Sequence, residues 1–363
     1  MGEHRTSLRR VVATGAVLSV LALLAACDGS ATGSVATPAV AAPADGTPSV
    51  TSSPTPASPT GSPTSVSPTS VSPTSTATTS AQPPGTGGLL VRTDSQAAVA
   101  WSQATGEDKD LLATIAQTPQ ALWVGDWVGA DEARDQVARL TSAAADSGTT
   151  AVLVVYAIPG RDCGLHSAGG VAADAYAAWV ATVADGIVGR PVVVLEPDAL
   201  PQLGACDGQG DRVALLAGAA RTLDEAGARV YLDAGHSGWL PAGEVVSRIR
   251  AVGTAHLAGF ALNTSNYQAT ADERAYGEAI AAQLDGLGFV VDTSRNGNGS
   301  NGEWCNPRGR ALGDAPRLVD DGTALDALLW VKSPGESDGT CNGGPAAGQW
   351  WQEIALELAR NAR

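Results

Sequence analysis

The sequence is poor in positive charge, in phenylalanine and in the short motifs that mark metals or nucleotides. Lys and Arg number 22 against 37 Asp and Glu, a formal net charge of −15. That balance argues against nucleic acid or an anionic membrane surface as a partner, because both are polyanions. It excludes little else, since most acidic side chains are solvated surface. There is no Cys-x-x-Cys pair and no histidine cluster among five Cys and four His, so no metal site and no cofactor is expected. No Gly-x-Gly-x-x-Gly follows the first strand candidate, which disfavours a dinucleotide-binding fold. Residues 28–88 almost lack charge. Asp28 and Asp45 stand alone there among Ser, Thr, Pro and Ala, and Ser-Pro-Thr-Ser-Val repeats near residues 62–71. Such a composition cannot bury a core and reads as an extended, disordered tether.

What is present begins with an export signal. Arg5, Arg9 and Arg10 precede the uncharged apolar run Val11 to Ala26, which ends in Leu24-Ala25-Ala26-Cys27. The run is short for a membrane span and has signal-peptide flanks. Small residues followed directly by Cys resemble a bacterial lipoprotein signal, in which Cys27 becomes the lipidated first mature residue. The expected division is therefore a signal over 1–27, a linker over 28–88 and a folded domain over 89–363. The expected location is outside the cytoplasm, on the outer face of the cell membrane. Cysteine usage agrees. Cys163, Cys206, Cys305 and Cys341 in an exported chain suggest two disulfides, with three pairings open.

From Leu89 onward, apolar strand candidates alternate with Ala-rich helical patterns. The strands fall near Ala121–Val124, Ala151–Ala157, Val192–Leu195, Arg229–Leu232, Gly259–Leu262, Phe289–Val291 and Ala327–Val331. Alternation of this kind means parallel pairing and right-handed crossovers. Seven units predict an α/β fold of the closed or nearly closed β/α barrel type, with a doubly wound open sheet as the alternative. The most informative stretch is Pro191 to Leu200. Val192 to Leu195 reads as a strand buried on both faces, and Pro197 ends it, leaving Asp198 just past its C-terminal end. That rim is where catalytic groups collect in parallel α/β folds.

Polar and acidic groups follow one strand after another: Asp162, Asp198, Asp233 with His236, Asn263 with Asn266, Asp292 with Arg295, and Lys332 with Glu336 and Asp338. A single acidic turn is usually structural, whereas six in succession on one rim read as one site. Crowded carboxylates raise one another's pKa, so one can stay protonated for acid–base work. Nine Trp stand against two Phe. Trp123, Trp127, Trp239, Trp304 and Tyr156 sit on or beside these loops, while Trp179 on a helix reads as core. Indole faces stack on sugar rings, so a carbohydrate site is the leading reading. Glycosidic cleavage needs one protonated acid and one base or nucleophile.

Seven blocks in order, Arg161-Asp-Cys-Gly164, Leu195-Glu-Pro-Asp-Ala-Leu200, Tyr231-Leu-Asp-Ala-Gly-His-Ser-Gly-Trp239, Asn263-Thr-Ser-Asn-Tyr267, Val291-Asp-Thr-Ser-Arg-Asn-Gly-Asn-Gly299, Glu303-Trp-Cys305 and Trp330-Val-Lys-Ser-Pro-Gly-Glu-Ser-Asp-Gly339, resemble glycoside hydrolase family 6, the inverting cellulases. The resemblance covers roughly residues 89–363. It implies a distorted seven-stranded parallel β/α barrel that hydrolyses β-1,4-glucan with inversion. It implies Asp198 as general acid, Asp162 beside it to keep its pKa high and help handle the water, and Asp233 as support. Asp338 falls at the family's proposed base or charge-stabilising position. Tyr156 would crowd the sugar at the cleavage point. Trp239, Trp304 and Trp123 would be stacking platforms, and Lys332, Glu336, His236 and Asn266 hydroxyl binders. The pairings Cys163–Cys206 and Cys305–Cys341 are implied in the same way.

Cellobiohydrolases of the family that the chain resembles roof the cleft with long insertions. Here Arg295 to Lys332 and Gly235 to Val252 are short, so the resemblance implies an open cleft and endoglucanase behaviour, with a cellobiohydrolase as the alternative. An inverting pair needs roughly 6.5–9.5 Å between carboxyls, and Asp198 and Asp338 are expected to flank the cleft at about that separation or wider. No carbohydrate-binding module is visible, which favours soluble or amorphous glucan. Nothing demands more than a monomer. Two competing readings are a non-catalytic glucan-binding lipoprotein and a phosphate-handling barrel with Ser294 to Gly299 as an anion cradle. The first lacks the lost acid that would suggest it. The acidic surroundings oppose the second.

Overall fold

The computed structural model describes residues 88–362, which lie within the compact unit Ala77–Arg363. The signal, Cys27 and most of the linker lie outside the described residues. In chain order the elements are α1 (Gln96–Gln103), α2 (Gly106–Ala116), β1 (Leu122–Gly125), α3 (Ala130–Ser147), β2 (Val152–Tyr156), α4 (Tyr176–Ala184), β3 (Val192–Leu195), α5 (Arg212–Glu225), β4 (Arg229–Asp233), α6 (Ala242–Val252), β5 (Gly259–Leu262), α7 (Thr270–Ala281), β6 (Gly288–Asp292), β7 (Arg317–Leu318), β8 (Leu325–Leu329) and α8 (Gln352–Asn361). A 3-10 turn, Asp162–Gly164, follows β2.

The strands form one curled sheet in the order β1-β2-β3-β4-β5-β6-β8-β7, parallel throughout except for β7 against β8. Strand residues alternate between two apolar layers, because successive side chains of a strand point to opposite faces. Val154, Val194, Tyr231, Ala261, Val290 and Leu329 fill the concave interior. Leu153, Val155, Leu195, Leu232, Phe260 and Phe289 pack outward against the helices. Burial on both faces explains the unbroken apolar runs. Trp179 is in the outer layer, 6% exposed. A third cluster joins α1, α2 and α8 through Leu111, Leu112, Ile115, Ile354 and Leu358.

The seven-stranded barrel needs correction. Among the described residues there are eight strands, and the sheet is a curled half-barrel. The two-residue β7 is antiparallel, pairing Arg317 with Leu328 and Leu318 with Ala327. It occupies the edge of β8 that would otherwise face β1. The described residues have no β1–β8 ladder. What joins the two ends is the Ala121 N–H donating to the Trp330 carbonyl at 3.0 Å and the Trp123 indole N–H donating to the Val331 carbonyl at 2.8 Å. A two-residue ladder carries no periodicity, so the sequence offers no signal for it.

Candidate active site

The loops after the strands' C-terminal ends converge on a cleft of about 290 Å³. Eight non-glycine residues with positive φ occur among the described residues, and all lie in these loops: Asp162, Cys163, Glu196, Asp198, Asn263, Ser265, Asn306 and Asn342. Left-handed backbone costs energy for residues with a Cβ and persists where surrounding contacts over-determine it. Here those contacts are visible. Glu196 (φ +50°) is fully buried and accepts from the Ala157 and Ile158 N–H groups at 3.0 Å and from the Tyr176 hydroxyl at 2.7 Å. Burial pushes its carboxyl up to about 7, against those hydrogen bonds. It ties the end of β2 to the turn that carries Asp198. Asp292 does the same on the other side. It accepts from Ser265, Ser294, Val331 and Lys332 N–H groups and so joins the loops after β5, β6 and β8.

Asp198 (φ +68°) lines the cleft, and no protein donor reaches its carboxyl among the described residues. Its pKa stands well above the usual range, first because of burial, then because of the carboxylates of Asp233 and Asp162. Asp233, the last residue of β4, does not line the cleft. It is fully buried beneath it, and its Oδ1 accepts the Asp198 N–H at 3.0 Å and the Gly235 N–H at 3.2 Å. Burial raises its carboxyl as well, opposed by Thr264 and these two N–H groups. Asp162 does line the cleft, and its Oδ2 accepts the Ser167 N–H at 2.8 Å.

Asp338, on the same cleft, has the opposite environment. Arg295 Nη1 reaches both of its oxygens, at 3.0 and 2.9 Å. The Tyr267 hydroxyl donates at 3.1 Å, the Asn306 N–H at 3.0 Å, and Lys332 Nζ stands 3.6 Å away. Burial would raise this carboxyl, but Arg295 and then Lys332 outweigh it and hold it below the usual carboxylate range. The cleft therefore sets a carboxyl whose environment favours the protonated form beside a carboxylate whose environment favours the ionised one.

Aromatic rings flank them. Trp239 and Trp304 are 37% and 47% exposed. Trp123 meets the Tyr156 ring edge-on at 5.3 Å, its indole N–H already fixed on Val331. Asn266, His236 and Lys332 complete the lining, and burial pulls His236 below its ordinary pKa. Glu336 lines an adjoining cavity instead, where the Gln96 side-chain amide donates to it at 2.8 Å. Arg295, read above as part of an anion cradle, is committed to Asp338 and to the Ser265 carbonyl, so it is not free to hold a phosphate. Both disulfides implied by the resemblance are present, Cys163–Cys206 and Cys305–Cys341, fastening the Asp162 and Asp338 loops. His166 lies close to the second, but sulfurs bonded to each other offer no thiolate for a metal.

Sequence reasoning missed the ties: Glu196, Asp292, Arg295, Tyr267 and Tyr176. Glu196, Asp292, Arg295 and Tyr267 stand within the motif blocks, but their partners were not visible there, and Tyr176, at the start of α4, lies outside every block.

Paired carboxyl groups of opposed character between indole faces, at the C-terminal rim of a parallel sheet, define the class as a glycoside-hydrolase type of site. The profile of Glycosyl hydrolases family 6 matches residues 90–362, and the chain belongs to that family. It is 63% identical over 281 residues to Endoglucanase A of Cellulomonas fimi, covering 77% of this chain and 63% of that protein's length. It is 42% identical over 291 residues to Endoglucanase 1 of Streptomyces halstedii, covering 75% and 88%. A solved endoglucanase from Mycobacterium tuberculosis, in complex with a thio-linked methyl cellobiosyl cellobioside, superposes with a TM-score of 0.72 at 40% identity, over 77% of this chain and 98% of that one.

Proposed function

We propose that this protein cleaves internal β-1,4-glucosidic bonds of cellulose or a related β-glucan with inversion of configuration. The observation that carries the reading is the contrast between Asp198, its carboxyl without a protein donor and crowded by Asp233 and Asp162, and Asp338, ionised between Arg295 and Lys332. Asp198 protonates the leaving oxygen. As it ionises, Asp233 takes no part in the bond change but sets the acid's position through the Asp198 N–H. Asp338 is a poor base, since a depressed pKa weakens a proton acceptor. Its negative charge instead stabilises the cationic sugar as the bond breaks. The attacking water loses its proton towards Asp162, which has one oxygen engaged by Ser167 and no protein donor on the other among the described residues. Tyr156, buried at the floor, crowds the ring, and Trp123, Trp239 and Trp304 hold sugar faces.

Endo cleavage is supported by the exposure of Trp239 and Trp304 on the cleft and by the naming of the relatives. A relative named as a probable cellobiohydrolase, from Aspergillus clavatus, is 30% identical. For the residues outside the description, the proposal is a lipoprotein signal cleaved before Cys27, a linker to about residue 88, and a monomeric enzyme held on the outer face of the cell membrane.

Hydrolysis of carboxymethylcellulose, with product anomers followed by NMR, tests the reading. Early α-anomer and a fast fall in viscosity are expected, and Asp198→Asn should lose roughly 10²–10⁴ in kcat. Early β-anomer would mean retention, and steady cellobiose release at constant viscosity would mean exo cleavage. Mass spectrometry of the mature N-terminus tests the anchor, where an unmodified Cys27 removes it.

A further inference from the structure

A second cavity of about 600 Å³ opens off the cleft and shares Trp123, Tyr156, Ser167 and Lys332 with it. It holds Trp127, at 52% the most exposed tryptophan among the described residues. This ring is positioned rather than loose. The Arg161 guanidinium lies 5.4 Å from its centroid, and that cation is itself 6% exposed, donating to the Ser167 and Tyr156 carbonyls at 2.7 Å and paired with Asp126. Trp127 also lies down against the end of β1. A Cβ on Gly125 would come within 2.2 Å of its Cζ3, so only glycine there admits the ring. The Trp127 indole N–H has no protein acceptor among the described residues.

The same cavity presents polar groups with unused capacity. Gln96 Nε2 donates to Glu336 Oε1 and to the Gly348 carbonyl, which fixes the carboxylate and leaves Glu336 Oε2 without a protein donor. Arg92 is held by Asp94 and the Ala121 carbonyl, and its Nη2 has no acceptor among the described residues. A fixed indole with an available edge and face, beside a carboxylate oxygen and a guanidinium nitrogen, offers an apolar platform and hydroxyl partners together. Both lie on a continuation of a cleft that already has indoles along it.

We infer that the cleft extends beyond Trp123 into a further glucosyl-binding subsite, with Trp127 as its platform and Arg92 and Glu336 as its hydroxyl partners. The inference rests on the glucan reading above. The consequence is a preference for longer chains, since only an oligomer reaching past Trp123 gains the contact.

The test is kcat/KM of the full-length protein on cellotriose through cellohexaose for the parent, Trp127→Ala and Trp127→Tyr. The parent should gain with chain length. Trp127→Ala should lose on the order of fivefold on cellohexaose, through KM, with the loss shrinking as the chain shortens. Trp127→Tyr should recover most of it. An equal loss on every length would make Trp127 a cover for Arg161 and overturn the subsite, as would no loss at all. If the parent cleaves none of these oligomers, the glucan reading itself fails, and the subsite fails with it.

Discussion

Replacing Arg295 by glutamine isolates the buried charge pair on which one wall of the cleft depends. The Arg295 and Asp338 side chains are 4% and 6% exposed and 2.9 Å apart. Glutamine keeps a donor and removes the charge. Taking away one partner of a buried pair costs roughly 3–5 kcal/mol, because the other is left uncompensated. Lys332, Tyr267 and Asn306 still face Asp338, so the lower end applies, about 3 kcal/mol near neutral pH. The sign of the pH dependence is the sharper test. In the parent the folded carboxyl lies below its unfolded value. Its contribution is present above the unfolded value and lost as pH falls through the folded one. In the variant burial is opposed less, the neutral form gains, and stability is lost as pH rises through the raised value. The deficit should therefore shrink on acidification, to about 1 kcal/mol near pH 4. Denaturant unfolding at both pH values measures it, with Asp338→Asn and the double variant completing the cycle. Asp338→Asn should rescue Arg295→Gln by about 1–3 kcal/mol at neutral pH. A deficit independent of pH, or strictly additive single variants, would refute the reasoning.

Asp233→Asn keeps an acceptor for the Asp198 N–H but removes the carboxylate that, after burial, does most to raise Asp198. The alkaline limb of the pH–rate profile should move down by about one unit, and an unmoved limb would show that burial and Asp162 set the acid without Asp233. Removing Cys305–Cys341 by paired serines opens a loop spanning 36 residues of separation. It should cost about 2–4 kcal/mol in denaturant unfolding, and a loss under 1 kcal/mol would mean the loops are held by Asn306 and its partners instead. Gly170→Ala puts a Cβ 2.0 Å from the Ile158 carbonyl at φ +99°, and backbone cannot yield cheaply. It should lower stability by about 2 kcal/mol or more, and a neutral result would mean this loop rearranges freely.

The chain order of residue types determined a good deal by itself. Short unbroken apolar runs such as Val192 to Leu195, bounded by prolines and alternating with helical patterns, read as strands covered on both faces, so parallel pairing and a rim of strand ends followed. Acidic and indole residues just past those ends marked that rim as one site. Most of the residues named from sequence for that site do line the cleft. Tertiary structure alone decided what each carboxylate is. Asp198 and Asp338 are the same residue type in similar loops. They differ because Arg295, 43 residues away, and Tyr267, 71 residues away, converge on Asp338, while no donor converges on Asp198. The burial of Asp233 beneath the cleft, the ties made by Glu196 and Asp292, and the closing of an edge by β7 are of the same kind. Each depends on which distant groups meet, and a pKa follows the charges and donors around a group rather than its neighbours along the chain.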